Sequence, residues 1–294
     1  MSTSPQRLAG GLATHLEKAA GTYDAALFDI DGTLLRGSGA LPGAPGLLSW
    51  LRAVRLPFLL LTNDGNHSTA EKAGFLARAG LAVTAEEIVS CADAIVDFVA
   101  ERNLRGREVF IMGDLGAPCY AERAGLRPTR SLPHLTDCAG VIIGEANYDW
   151  ESTFNAVINF FIHRPEAFLV VPNPDSYWPG RHGEIHIGAG GKARFLQMIL
   201  AEYGVRLDPH YLGKPNAAIF RRALARLAER HGLDRPPETG RVLVVGDSLA
   251  SDIRGGNGLG FVTALVLTGI TTPEQAARSG LPAEQRPALT FPHL

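Results

Sequence analysis

Short aliphatic runs recur along the chain, separated by segments in which apolar residues return every three or four positions. The runs at 25–30, 57–61, 109–112, 140–143, 168–171, 242–245 and 263–267 are apolar at nearly every position, which fits strands covered on both faces. Between them, 69–79, 86–101, 152–163, 192–203 and 216–231 carry helical spacing. This alternation predicts an α/β fold with parallel sheets joined by crossover helices. Near the start, Leu8, Leu12 and Leu16 predict a short amphipathic helix.

The residues suited to chemistry fall in the first and last parts of the chain, around a middle without obvious catalytic groups. That distribution predicts a core domain, 1–103 and 209–294, interrupted by an inserted α/β domain, 104–208, with hinges near 103–107 and 206–209. Composition narrows the partners. With 46% apolar residues, 20% charged residues and a net charge of −2, no global field attracts nucleic acid or an anionic membrane. A small anionic substrate therefore needs a local positive site. Cys91, Cys119 and Cys138 are odd in number and form no C-x-x-C pair, so buried thiols in a reducing compartment are expected. The first residues show no leader, and no segment approaches the ~20 apolar residues of a membrane span. A cytoplasmic protein is expected.

Four segments carry candidate chemistry. Leu27-Phe28-Asp29-Ile30-Asp31-Gly32-Thr33-Leu34 runs a hydrophobic strand into two carboxylates and then a glycine. Open parallel sheets hold ligands at the carboxyl ends of their strands, and paired acids there are costly without a cation. A calcium loop would need glycine where Leu34 stands. Phe58-Leu59-Leu60-Leu61-Thr62-Asn63-Asp64-Gly65 ends a second strand on a hydroxyl, suited to a phosphoryl oxygen but also to an ordinary turn. Leu212-Gly213-Lys214-Pro215 sets a lysine just before a helix, and Val244-Val245-Gly246-Asp247 brings a third strand to an acid, with Asp252 following. Hard oxygen ligands of this kind suit Mg²⁺. The glycine-rich run 255–260 does not satisfy G-x-G-x-x-G, and Gly191-Lys192 lacks the rest of a P-loop.

In this order the four segments are similar to the four motifs of the haloacid dehalogenase (HAD) superfamily. The insertion resembles the α/β cap of its class IIA, NagD-like phosphatases. Leu41-Pro42-Gly43-Ala44, Asn173-Pro174-Asp175, Trp178-Pro179 and Gly188-Ala189-Gly190 add to the resemblance, which covers nearly the whole chain after about residue 24. It implies a Rossmann-like core with a C2-type cap, and a Mg²⁺-dependent phosphatase working through an aspartyl-phosphate. Asp29 would be the nucleophile and a metal ligand. Asp31 would pass a proton to the leaving group and bind metal through its backbone carbonyl. Thr62 and the Asn63 backbone would hold the phosphoryl group, Lys214 would pair with it, and Asp247 would complete the metal site with Asp252 in support. Phosphate monoesters hydrolyse so slowly that rate enhancements reach the order of 10²¹, and a carboxylate nucleophile divides that barrier into two steps.

Many relatives carry a second asparagine where this chain has Asp64. The extra carboxylate is expected to turn away from phosphate or to meet a cation or hydroxyl of the substrate. In the class it resembles, a cap loop chooses the leaving group. The matching loop, 173–179, offers Asp175, Tyr177 and Trp178, whose rings suit stacking on a planar or sugar group or packing within the cap. His182 and His186 lack a third ligand nearby and read as loop histidines. A small phosphorylated metabolite is the expected substrate, and a homodimer through the cap the expected assembly. The rival is a binding or regulatory protein that keeps this fold. Carbon–halogen hydrolysis is disfavoured, because it needs neither Asp31 nor the metal.

Overall fold

The computed structural model describes residues 6–7, 10–179 and 184–294; Leu8 and His182 lie outside them. The chain forms two compact units, one of Met1–Thr62, Thr69–Val89 and Lys214–Leu294, the other of Asn63–Ser68 and Ser90–Gly213.

The first unit is built on a seven-stranded sheet in the order Gln6–Arg7, Leu289–Phe291, Val262–Val266, Val242–Gly246, Ala25–Asp29, Phe58–Thr62, Ile88–Ser90. The three central strands run parallel, with Val245 opposite Phe28 and Asp29 opposite Leu61. All three are buried along their whole length. Register and direction therefore carry Asp29, Thr62 and Asp247 to the same edge of the sheet. Helices Ala44–Ala53 and Ala217–His231 turn apolar stripes inward: Leu47, Leu48 and Leu51 on one, Ile219, Phe220, Ala223 and Leu227 on the other. Each such leucine, isoleucine or phenylalanine contributes ~1.5–3 kcal/mol when fully buried. Cutting the fully buried Phe28 to alanine would cost ~3–5 kcal/mol.

The second unit has a five-stranded sheet of its own, in the order His210–Tyr211, Phe168–Val171, Gly140–Ile143, Glu108–Met112, Arg127–Thr129, parallel throughout. Helices Trp150–His163 and Ala189–Glu202 place Phe154, Val157, Phe161, Ala193, Leu196 and Leu200 in its core. Tyr177–Pro179 and Ile185–Ile187 form a separate antiparallel ribbon.

One expectation changes. The segment 86–101 is not one helix. Ser90 starts a new one, its hydroxyl accepting from the Ala92 N–H while its own N–H donates to the Asp93 carboxylate at 2.9 Å. A capping box of this kind restarts a helix, and it leaves the β-branched pair Ile88-Val89 free to form an edge strand. Ser90 also opens the longer stretch of the second unit, which contains helix Ile95–Glu101. That stretch runs to Gly213, with His210–Tyr211 paired to Phe168–Val171 in the second unit's sheet. The predicted N-terminal helix spans Leu12–Lys18. No helix among the described residues is long and apolar enough to cross a membrane.

Candidate active site

At the carboxyl edge of the first unit's sheet, Asp29, Asp247 and Asp252 converge, each offering an oxygen within 4.8 Å of the others, all three buried. Lys214 lies among them, 3% exposed. Its Nζ donates to Asp29 Oδ1 at 2.5 Å and to Asp252 Oδ1 at 2.7 Å, with a longer contact to the Leu61 carbonyl at 3.4 Å. Asp252 also accepts the Ser248 N–H through its other oxygen at 3.2 Å. Its side chain is thus a brace for Lys214 in a π-helical turn, Leu249–Ile253, that follows the third strand.

Asp247 is fixed by backbone. Its Oδ2 accepts the Ile270 N–H at 2.7 Å. Two glycines close on the same carboxylate: a Cβ at Gly269 would sit 1.8 Å from Oδ2, and one at Gly32, whose φ is +89°, would sit 2.2 Å from it. Only glycine fits either position. Thr268 ties the loop back by donating its hydroxyl to the Gly32 carbonyl at 2.7 Å, and Arg36 donates to the Thr268 carbonyl.

One ammonium faces three carboxylates, and the acids respond. Burial pushes the Asp29 carboxyl well above the carboxylate range; Lys214 opposes that shift, and the charges of Asp252, Asp247 and Asp31 add to it. Asp247 is pushed up to about 6, by burial first and then by Asp252. Burial works against the Lys214 ammonium, but Asp252 and Asp29 outweigh it and hold the group above the usual lysine range. The directions agree: the lysine stays charged, and the acids lack positive charge. Asp29 Oδ2 is buried with no hydrogen-bond partner among the described residues. A buried carboxylate oxygen without a donor is costly, and a cation bound through hard oxygens answers that need.

Asp31 is not part of this trio. Its carboxylate is 58% exposed and accepts from Lys72 Nζ at 2.9 Å. The Lys72 contact has no counterpart in the four motifs. Its signal is periodic: helix Thr69–Arg78 buries Thr69, Lys72 and Leu76, so a lysine occupies the inward stripe. Thr62 is buried at the end of its strand.

Asn63, Asp64, Asp175, Tyr177 and Trp178 belong to the second unit. Asn63 Nδ2 donates to Asp175 Oδ2 at 3.0 Å, and the Asp175 N–H donates to Asn173 Oδ1 at 2.9 Å. Asp64 turns into its own loop. Its Oδ1 accepts the N–H groups of Asn66 and His67 at 3.0 and 3.2 Å, and the His67 ring lies 2.9 Å from Oδ2. Tyr177 and Trp178 are 59% and 45% exposed. Trp178 stacks on His186 with centroids 4.2 Å apart.

Comparison with known proteins agrees with this architecture. The family model described as haloacid dehalogenase-like hydrolase matches residues 26–127, and a HAD-hydrolase-like model matches 211–294. D-glycerol 3-phosphate phosphatase of Mycobacterium tuberculosis is 29% identical over 87% of this chain; the chain spans 66% of that relative, just under two thirds. Acid sugar phosphatase of Staphylococcus saprophyticus is 29% identical over 92% of this chain and 95% of its own length. Among solved structures, the M. tuberculosis glycerol phosphate phosphatase in complex with magnesium has a TM-score of 0.76 at 26% identity, covering 95% of this chain and 76% of that one. NagD of Escherichia coli has a TM-score of 0.74 at 26% identity, covering 92% and 96%.

Fold, site and relatives together define a hydrolase acting on phosphate monoesters. The chain belongs to the haloacid dehalogenase superfamily, in its NagD-like class IIA.

Proposed function

We propose that the protein is a cytoplasmic, Mg²⁺-dependent phosphatase of small phosphorylated metabolites, working through an aspartyl-phosphate on Asp29. The observation that carries this reading is the convergence of three buried carboxylates, two of them bonded to one ammonium, with Asp29 Oδ2 left without a donor among the described residues. Asp29, Asp247 and the Asp31 backbone carbonyl would hold the ion. When bound, Mg²⁺ supplies positive charge against the phosphate and the nucleophile. The magnesium complex of the mycobacterial relative supports a divalent ion in this class.

The residues then divide the reaction. Asp29 attacks phosphorus as the bond to the leaving oxygen breaks, and Asp31 gives that oxygen its proton. Lys214, held by Asp252, offsets the repulsion between Asp29 and a dianionic phosphate. The Thr62 hydroxyl and the Asn63 backbone orient the phosphoryl oxygens. In the second step Asp31 takes a proton from water, the water oxygen attacks phosphorus, and Asp29 is regenerated with release of phosphate.

Selectivity falls to the second unit, as an inserted C2-type cap: Asp175, held by Asn63, with Tyr177 and Trp178 on an exposed ribbon. Relatives named for glycerol and acid sugar phosphates favour a polyol or sugar ester. A homodimer through the cap completes the reading. A panel of phosphorylated metabolites, assayed for phosphate release with and without Mg²⁺, tests it. Release from a sugar or polyol phosphate that requires the ion is expected. No release from any ester, with or without metal, would leave a binding protein on a phosphatase fold.

A further inference from the structure

Helix Thr69–Arg78 is amphipathic, and the residues on its buried stripe are Thr69, Lys72 and Leu76. A lysine at such a position is expensive to desolvate unless its ammonium meets a fixed anion. Here the Lys72 side chain is 9% exposed and donates to Asp31 Oδ2 at 2.9 Å, on a side chain 58% exposed. The asymmetry matters. The cation is buried, while the carboxyl that would act as the acid of the proposed reaction reaches toward solvent.

We propose that Lys72 is a positioning residue of the phosphoryl-transfer site, fixing the Asp31 carboxyl by one oxygen and compensating the charge left when its proton departs. The inference rests on Asp31 being the acid of the proposed reaction. With Oδ2 held by Lys72, Oδ1 is the oxygen left to exchange a proton with the leaving group. In the first step the bond from phosphorus to the leaving oxygen breaks, the bond to Asp29 forms, and the Oδ1 proton passes to the leaving oxygen. Asp31 becomes a carboxylate beside the Lys72 ammonium. In the second step that carboxylate takes a proton from the attacking water, and the acid is restored. A fixed ammonium lowers the energy of the charge as it develops, with little reorganisation. The same contact orients the carboxyl before the proton moves.

The effect should depend on the leaving group. An alkoxide must be protonated as it departs, whereas 4-nitrophenolate leaves without a proton. General-acid catalysis contributes roughly 10²–10⁴-fold, so Asp31→Asn should slow glycerol 3-phosphate by about that factor more than 4-nitrophenyl phosphate. Lys72→Met should reproduce a part of this difference, about 10-fold or more, in kcat and not in KM. Lys72→Arg should restore most of it, since a guanidinium keeps the charge and the donor. Adding Lys72→Met to Asp31→Asn should change the leaving-group ratio little further, because both act through one proton. Lys72→Gln serves in place of the methionine variant if that variant does not fold.

If Asp31→Asn shows no leaving-group difference, the acid assignment falls and the inference with it. If Asp31→Asn shows it but Lys72→Met slows both esters equally, or the two substitutions multiply, Lys72 is a structural lysine and only the inference falls. A loss confined to melting temperature likewise overturns the inference alone.

Discussion

The acid cluster of the first unit and the aromatic ribbon of the second are built on opposite principles. Around Asp29, groups are buried and held at defined distances: Lys214 by two carboxylates, Asp252 by a backbone N–H, Asp247 by the Ile270 N–H and two glycine α-carbons. On the ribbon, Tyr177, Trp178, Ile185 and Ile187 are exposed, and the described strands are three residues each. Preorganisation serves chemistry that is common to every ester, because fixed charge stabilises the transition state without reorganising. Discrimination among leaving groups needs surface that can be altered without disturbing that charge. Substitutions in the cluster should therefore act on all substrates, and substitutions on the ribbon should act on some.

The largest effect is expected at Lys214. Replacing it with methionine leaves Asp29 and Asp252 buried without their cation. Losing one partner of a buried ion pair costs ~3–5 kcal/mol, so denaturant unfolding near neutral pH should register that loss alongside loss of turnover with every ester. Unchanged stability would mean that the acids relax or take up protons freely, and that the cluster is less rigid than its distances suggest.

Metal and proton should compete within the same cluster. Asp247, raised to about 6, holds a proton in the metal-free folded state at pH values where an ordinary aspartate has lost it. Between about pH 4 and 6 the folded state therefore binds more protons than the unfolded one, and the metal-free protein loses stability as pH rises through this range. A cation at the site must displace that proton, so Mg²⁺ affinity, read by calorimetry, should weaken as pH falls below about 6. Affinity that is flat between about pH 5 and 7.5 would argue against Asp247 as a ligand.

Trp178→Ala probes the other region. Stacking on an aromatic face is worth ~1–3 kcal/mol, so the preferred ester should lose roughly 5- to 150-fold in kcat/KM, with a smaller loss for 4-nitrophenyl phosphate. If the ring's contact with His186 is its purpose, all esters should fall together with the melting temperature, and the ribbon would be structural. The smallest effect is expected at Asp64. Asparagine can still cap the Asn66 and His67 N–H groups, so Asp64→Asn should change stability by about 1 kcal/mol or less and leave turnover nearly intact.

The candidate catalytic edge is legible in the sequence because buried strands announce themselves as unbroken apolar runs, and acids immediately after them are costly unless a cation or a ligand meets them. Edge elements are less legible. Gln6–Arg7 and His210–Tyr211 are two residues long, too short for any periodicity. The segment 86–101 has apolar spacing that suits a helix, and the S-x-x-D pattern of Ser90 and Asp93 is the signal that it breaks. The Ile270 N–H that holds Asp247 is a backbone group, which no side-chain pattern reveals. Lys72 is visible only as a charge out of place on an apolar stripe. Asp64 stands out as a departure from its relatives, but its partners sit on the next turn of chain and needed coordinates.

In the proposed mechanism phosphorus is transferred to Asp29 before it reaches water. Rapid acid quench of the enzyme turning over its best ester with Mg²⁺, followed by peptide mass spectrometry, tests this directly. The account predicts a phosphate adduct on the peptide carrying Asp29, absent from Asp29→Asn protein that is folded but inactive. An adduct on another residue, or normal turnover by Asp29→Asn, would contradict it.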